Sequence, residues 1–115
     1  MTRRTFTLAG SFLLCASMAV NAAAAQNKAA KTGDPAKGKE LFEQCAVCHN
    51  VDTDEKKMGP SLKGLFSHKT MAGGKPVTDA NVLDQINKGG NGMPAYADQL
   101  SADEKANLLA YLHTI

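Results

Sequence analysis

The chain has 115 residues and three cysteines, which leaves room for one small domain. Its formal charge of +2 comes from Arg3 and Arg4; from residue 26 onward, 11 lysines face 11 acidic residues, so no basic stripe argues for nucleic acid. Tryptophan is absent, and only Phe42, Phe66, Tyr96 and Tyr111 bring aromatic bulk to residues 26–115, a poor core for a chain this short unless a staple or cofactor completes it.

Met1 to Ala25 reads as a secretory signal peptide. A basic start at Arg3-Arg4 precedes an apolar run from Phe6 to Val20 and a small-residue exit at Ala22 to Ala25. The run is short and broken for a span of about 20 apolar residues, so cleavage is expected and an uncleaved anchor is the alternative. Cys15 lies inside this run and would leave with it. The mature chain would then hold two thiols, Cys45 and Cys48, and no structural disulfide.

Residues 26–33 are small and polar and read as a flexible lead. A single domain is expected over residues 34–115. Asp34-Pro35 is an N-cap followed by proline at the first helical position. Gly38, Leu41, Phe42 and Cys45 then recur on one face of a predicted helix. Asn50 to Lys57 is a polar loop, and Leu62, Leu65 and Phe66 form a short apolar patch of no clear type. Ser67 to Val77 reads as loop. Thr78-Asp79 caps a second helix carrying Val82, Leu83 and Ile86, with Gly89 as its stop. Ser101 and Glu104 make a capping box. Leu108, Leu109, Leu112 and Ile115 mark a last amphipathic helix with Tyr111 at its flank. No stretch alternates for long enough to make a strand. The expectation is all-α, with about three helices and long loops that need a cofactor to pack on.

Cys45-Ala46-Val47-Cys48-His49 is the attachment signature of a c-type haem. Two thiols one helical turn apart face the same way and can bond one porphyrin edge, and the imidazole behind them can reach the iron. A zinc site would need two more ligands, and only His68 and His113 remain. A thioredoxin-like site would need strands. For the second axial ligand the candidates are Met58, Met71, Met93, His68 and His113. Met93 is preferred: Pro94 holds it in extended backbone, and Gly89, Gly90 and Gly92 let the backbone come close to a flat ring. The other ring nitrogen of His49 needs a partner, and the Pro60 carbonyl is a candidate.

At this point the chain resembles a class I cytochrome c. The matching stretches are Gly33 to Gly38, Leu41-Phe42 with the Cys45–His49 motif, Gly59-Pro60 with Leu62 and Gly64-Leu65-Phe66, Gly92-Met93-Pro94, and Leu108 to Leu112. The first half is similar to bacterial cytochrome c2, the Gly-Met-Pro end to the shorter bacterial cytochromes. The resemblance implies an all-α fold around one covalent haem c, with His49 and Met93 on the iron. It also implies that Gly38 and Phe42 cross Leu108 and Tyr111, that the Pro60 carbonyl accepts the His49 N–H, and that Leu62 packs on the ring. The chain departs from mitochondrial-type members in its shorter Pro60–Met93 segment, in lacking their propionate-binding Trp, and in carrying His68 where they often have Arg.

The expected function is a one-electron carrier of the periplasm, not an enzyme. Its partners would be redox proteins: a membrane oxidase, a reductase or a periplasmic dehydrogenase. A monomer is expected, touching the membrane only through partners or an uncleaved signal. Two alternatives stand beside it. One is an electron-entry subunit of a membrane oxidase or dehydrogenase; the other is a haem peroxidase or gas-binding protein with a labile sixth ligand. Lys37, Lys63, Lys69 and Lys88 are candidates for a docking patch.

Overall fold

A computed structural model describes residues 32–115. The expected signal peptide, residues 1–25, and most of the 26–33 lead lie outside the described residues. Within them, three α-helices and one 3-10 turn are joined by long irregular segments. They are α1 (Pro35–Ala46), the turn Leu65–Ser67, α2 (Asp79–Lys88) and α3 (Ala102–Leu112). Pairing of extended backbone is limited to two isolated bridges among the described residues, Thr70 with Pro76 and Gly90 with Met93.

Each helix begins where its local chemistry satisfies the free backbone N–H groups. Asp34 accepts from the Ala36 N–H at 2.9 Å, with Pro35 in the first turn. Thr78 Oγ1 accepts from the Asn81 N–H at 3.1 Å. Ser101 and Glu104 close a full capping box: the Ser101 N–H donates to Glu104 Oε2 at 2.7 Å, and the Glu104 N–H to Ser101 Oγ at 3.2 Å. Gly89 ends α2 with φ 61° and ψ −142°, a backbone shape that disfavours a side chain.

The first and last helices cross at close range. Gly38 makes this possible, because a Cβ there would lie 2.0 Å from the Asn107 carbonyl oxygen. One turn on, the rings of Phe42 and Tyr111 meet with centroids 5.4 Å apart and planes tilted by 53°. Asn107 also ties the start of α1, its Oδ1 accepting from the Asp34 N–H at 2.8 Å. Tyr111 is therefore core, as the resemblance implied and the helical pattern alone did not: the space opened by Gly38 admits it. The last helix stops at Leu112, so Ile115 lies beyond it and packs only partly on the core.

Helix α2 contributes Val82 and Ile86 to the same core, joined by Leu65, Leu100, Leu108 and Leu112. Its first turn is tied to the end of α3, where His113 Nε2 meets Asp79 Oδ1 at 2.7 Å. The His113 ring also stacks on Phe66, centroids 3.6 Å apart. The core is thin. Its most buried side chain, Leu108, keeps 2% of its surface, and much apolar surface around Cys45, Leu62 and Met93 is only half covered.

Candidate haem site

The end of α1 delivers the motif. The backbone N–H groups of Cys48 and His49 both donate to the Cys45 carbonyl, at 3.0 and 2.9 Å. Cys45 packs against the core, and this tight turn keeps Cys48 half-buried beside it. The loop that follows folds back beneath it. The Gly59 N–H donates to the Cys48 carbonyl at 2.8 Å, and the Leu62 N–H to the Asn50 carbonyl at 2.8 Å.

That return places Pro60 beside the imidazole. His49 Nδ1 lies 2.7 Å from the Pro60 carbonyl oxygen. A carbonyl only accepts, so Nδ1 carries the proton and the neutral ring keeps its lone pair on Nε2. Gly59 walls the ring: a Cβ there would lie 2.5 Å from His49 Cε1. Sequence reasoning missed that role, although the Gly59-Pro60 pair beside the motif was a usable signal.

Met93 is carried by the irregular segment after α2. Gly90 and Met93 exchange backbone hydrogen bonds at 2.9 and 3.0 Å, closing a turn over Asn91 and Gly92, both with positive φ. Gln85 steadies this turn. Its Nε2 donates to the Gly89 carbonyl at 2.9 Å and points at Met93 Sδ at 3.8 Å. No local pattern links residues 85 and 93, so this contact was not visible in the sequence.

Phe42, Cys45, His49, Leu62, Ile86, Met93, Leu108 and Leu112 border one cleft. The sequence-predicted Cys45, His49, Leu62 and Met93 thus meet on one wall system; Pro60 acts through His49, and Cys48 lies one turn from Cys45. The donors offered are one imidazole, one thioether and sulfur, set in hydrocarbon. Burial pushes the Cys45 thiol up from its ordinary value, and Cys48 beside it pushes the same way. This chemistry fits a haem: an apolar body would fill the cleft, and an imidazole and a thioether are a known axial pair for its iron. The remaining candidates lie elsewhere. Met71 packs on the core edge, His68 Nε2 sits 3.1 Å from the Lys63 carbonyl, and His113 is held by Asp79. Met58 stands in solvent. Of the lysines, Lys63 and Lys88 are spent on Asp54 and Asp84, at 3.6 and 2.6 Å.

Comparison with known proteins agrees with this geometry. A family model described as cytochrome c oxidase, cbb3-type, subunit III matches residues 33–112. Cytochrome c6 of Diacronema lutheri is 32% identical over 81 residues, 70% of this chain and 94% of the relative. Cytochrome c2 of Blastochloris viridis is 43% identical over 74 residues, 63% of this chain and 51% of the relative. The solved cytochrome c6 of the diatom Phaeodactylum tricornutum superposes with a TM-score of 0.53 at 32% identity, covering 71% of this chain and 93% of that one. With the family model spanning most of the chain and a relative matched over nearly its whole length, the chain belongs to the cytochrome c family, as a class I monohaem member whose Cys45 and Cys48 fit the attachment motif of a covalent c-type haem.

Proposed function

We propose that the protein is a periplasmic one-electron carrier in which His49 and Met93 ligate the haem iron. One observation carries this reading: His49 and Met93 border the same apolar cleft as Cys45. When bound, a haem would supply a metal able to store and release one electron, and a thioether ligand together with an imidazole would favour its reduced state. The chain does the rest. Cys45 and Cys48 hold the group covalently. The Pro60 carbonyl fixes the His49 tautomer and ring plane, leaving Nε2 as the nitrogen that would hold the iron. Phe42, Leu62, Ile86 and Leu108 exclude water, which disfavours the extra positive charge of the oxidised form. Apart from His49, none of the described residues bordering the cleft carries an acid or base suited to peroxide chemistry, which favours a carrier over a peroxidase.

A second reading, an electron-entry subunit of a membrane oxidase, is favoured by the description of the matching family model. No helix among the described residues is long and apolar enough to cross a membrane. Whether the secreted protein co-purifies with a membrane complex separates the two readings.

The test is spectroscopic. The chain is expressed with a periplasmic haem-attachment system, and oxidised and reduced spectra are recorded. The expected result is a low-spin pattern with the weak red band of a sulfur–iron(III) bond, lost in Met93→Ala. A high-spin iron that binds CO at once overturns the ligand assignment. Loss of the haem on acid–acetone extraction overturns covalent attachment. Mass spectrometry of the secreted form reads the cleavage site.

A further inference from the structure

The attachment motif sits at the end of a helix, where the last carbonyls find no partner within the helix itself. In α1 the Cys45 carbonyl accepts from the Cys48 and His49 N–H groups, at 3.0 and 2.9 Å. The next carbonyl, that of Ala46, accepts from Lys57 Nζ at 2.8 Å. A cation at a helix C-terminus meets the negative end of the helix dipole. The last turn of α1 holds no basic residue of its own, and it does hold Glu43. The cation comes instead from a loop residue 11 positions further on.

That contact is the first of a series. The Lys57 N–H donates to the Gly59 carbonyl at 3.2 Å, and the Gly59 N–H to the Cys48 carbonyl at 2.8 Å. A Cβ on Gly59 would lie 2.5 Å from His49 Cε1, and the Pro60 carbonyl meets His49 Nδ1 at 2.7 Å. Lys57, Gly59 and Pro60 thus engage Ala46, Cys48 and His49 in the same order along the chain. On the loop side, Gly59 and Pro60 use backbone atoms, whereas Lys57 uses its side chain. The residue type at position 57 therefore decides whether the outer contact exists. Elsewhere the loop is tied to itself, by Asn50 Nδ2 to the Glu55 carbonyl at 2.8 Å and Ser61 Oγ to the Thr53 carbonyl at 2.6 Å.

We infer that Lys57 is a positioning residue for His49: its ammonium, fixed on the end of α1, keeps the Gly59–Pro60 corner against the imidazole. The Nδ1 proton then stays on the Pro60 carbonyl, and Nε2 is the nitrogen left for iron. The role of Nε2 rests on the reading of His49 as a ligand to iron. Lys57 acts through Gly59 and Pro60, and its own side chain stays exposed. An arginine can make the same contact with the Ala46 carbonyl, because it is also a cationic donor on a long stem; a methionine cannot donate at all.

The experiment uses the secreted, haem-loaded chain. Its spectrum is recorded first and tests the ligand reading separately. Exchange of the His49 Nδ1 proton and of the Gly59 N–H with solvent is then read by NMR in the reduced protein, under CO if Met93 proves unbound. Lys57→Met is expected to speed both about two- to fivefold, the range implied by a cation at a helix C-terminus. The Tyr96 N–H, which donates to the Ile86 carbonyl outside the loop, is expected to keep its rate. Lys57→Arg is expected to restore the original rates. Lys56→Met, which removes the same charge from the neighbouring exposed lysine, is expected to change neither. Unchanged His49 exchange in Lys57→Met overturns the proposal. So does an equal rise at Tyr96, which marks a loss of overall stability, and so does an equal effect of Lys56→Met, which marks net charge alone.

Discussion

Gly38 lies so close to Asn107 that a Cβ on it would meet the Asn107 carbonyl oxygen at 2.0 Å and Tyr111 Cβ at 2.7 Å. The two helices that frame the cleft are thus spaced by the absence of one side chain. In an unconstrained helix, Gly→Ala gains up to about 1 kcal/mol. Here the obstacle is backbone, which no rotamer change relieves, and overpacking of this kind costs about 1–3 kcal/mol. Gly38→Ala is therefore expected to destabilise the haem-loaded protein by about 1–2 kcal/mol net, read as a lower midpoint in guanidinium unfolding.

Gly59→Ala tests the wall behind His49. A Cβ 2.5 Å from Cε1 forces the ring to turn or the loop to lift, and either lengthens the contact from Nδ1 to the Pro60 carbonyl. The expected outcome is a perturbed low-spin spectrum together with lower stability. Gly73→Ala, with open space around it, serves as the control and should change neither.

Asn87 Oδ1 is a buried side-chain oxygen without a hydrogen-bond partner among the described residues. An unpaired buried acceptor costs about 1–3 kcal/mol in desolvation. Asn87→Leu, close in size, should leave thermal stability unchanged or raise it by up to about 1 kcal/mol. Asn87→Asp should lower it, because a charge would then be buried unpaired. Thermal melts of the three proteins check this.

The caps give a pH prediction. The Ser101 backbone N–H, and then its hydroxyl, hold the Glu104 carboxyl below its ordinary value of 4.5. Hydrogen bonds from Lys88 and then Lys75 hold Asp84 below 3.8. Both groups prefer the charged form when folded. Their contribution is present above the ordinary values and is lost as pH falls through the lower folded ones. Unfolding midpoints should therefore drop below about pH 4.5, less steeply in Asp84→Asn. Ser101→Ala, which removes the acceptor for the Glu104 N–H, should cost about 1 kcal/mol at neutral pH.

The features that were legible in the sequence act over a few residues. Asp34 caps its helix two residues on, Thr78 three residues on, and Ser101 and Glu104 satisfy each other across one turn. The Cys45–His49 motif is of the same kind, because the chemistry of attachment needs that spacing. That Met93 borders the cleft agrees with the reading of Pro94 and the glycines around it. Tyr111 was not legible from the helical pattern. A helical wheel sets it beside the apolar stripe, and its burial depends on a gap at Gly38, 73 positions away. Gln85 was missed because its contacts depend on how the chain turns after Gly89.

By itself, then, the sequence determined where the helices start, that no strand organises the described residues, and that Cys45 and Cys48 fit the attachment motif of a c-type haem. Hydrogen bonds and covalent chemistry between near neighbours decide those, and they need no distant partner. Tertiary structure alone decided how closely α1 and α3 approach at Gly38 and Asn107, that Gly59 backs the His49 ring, and that the loop closing on Cys48 holds Met58 out in solvent. Those outcomes are set by close packing, where whether two distant segments fit depends on a missing Cβ or a carbonyl direction that no local pattern records.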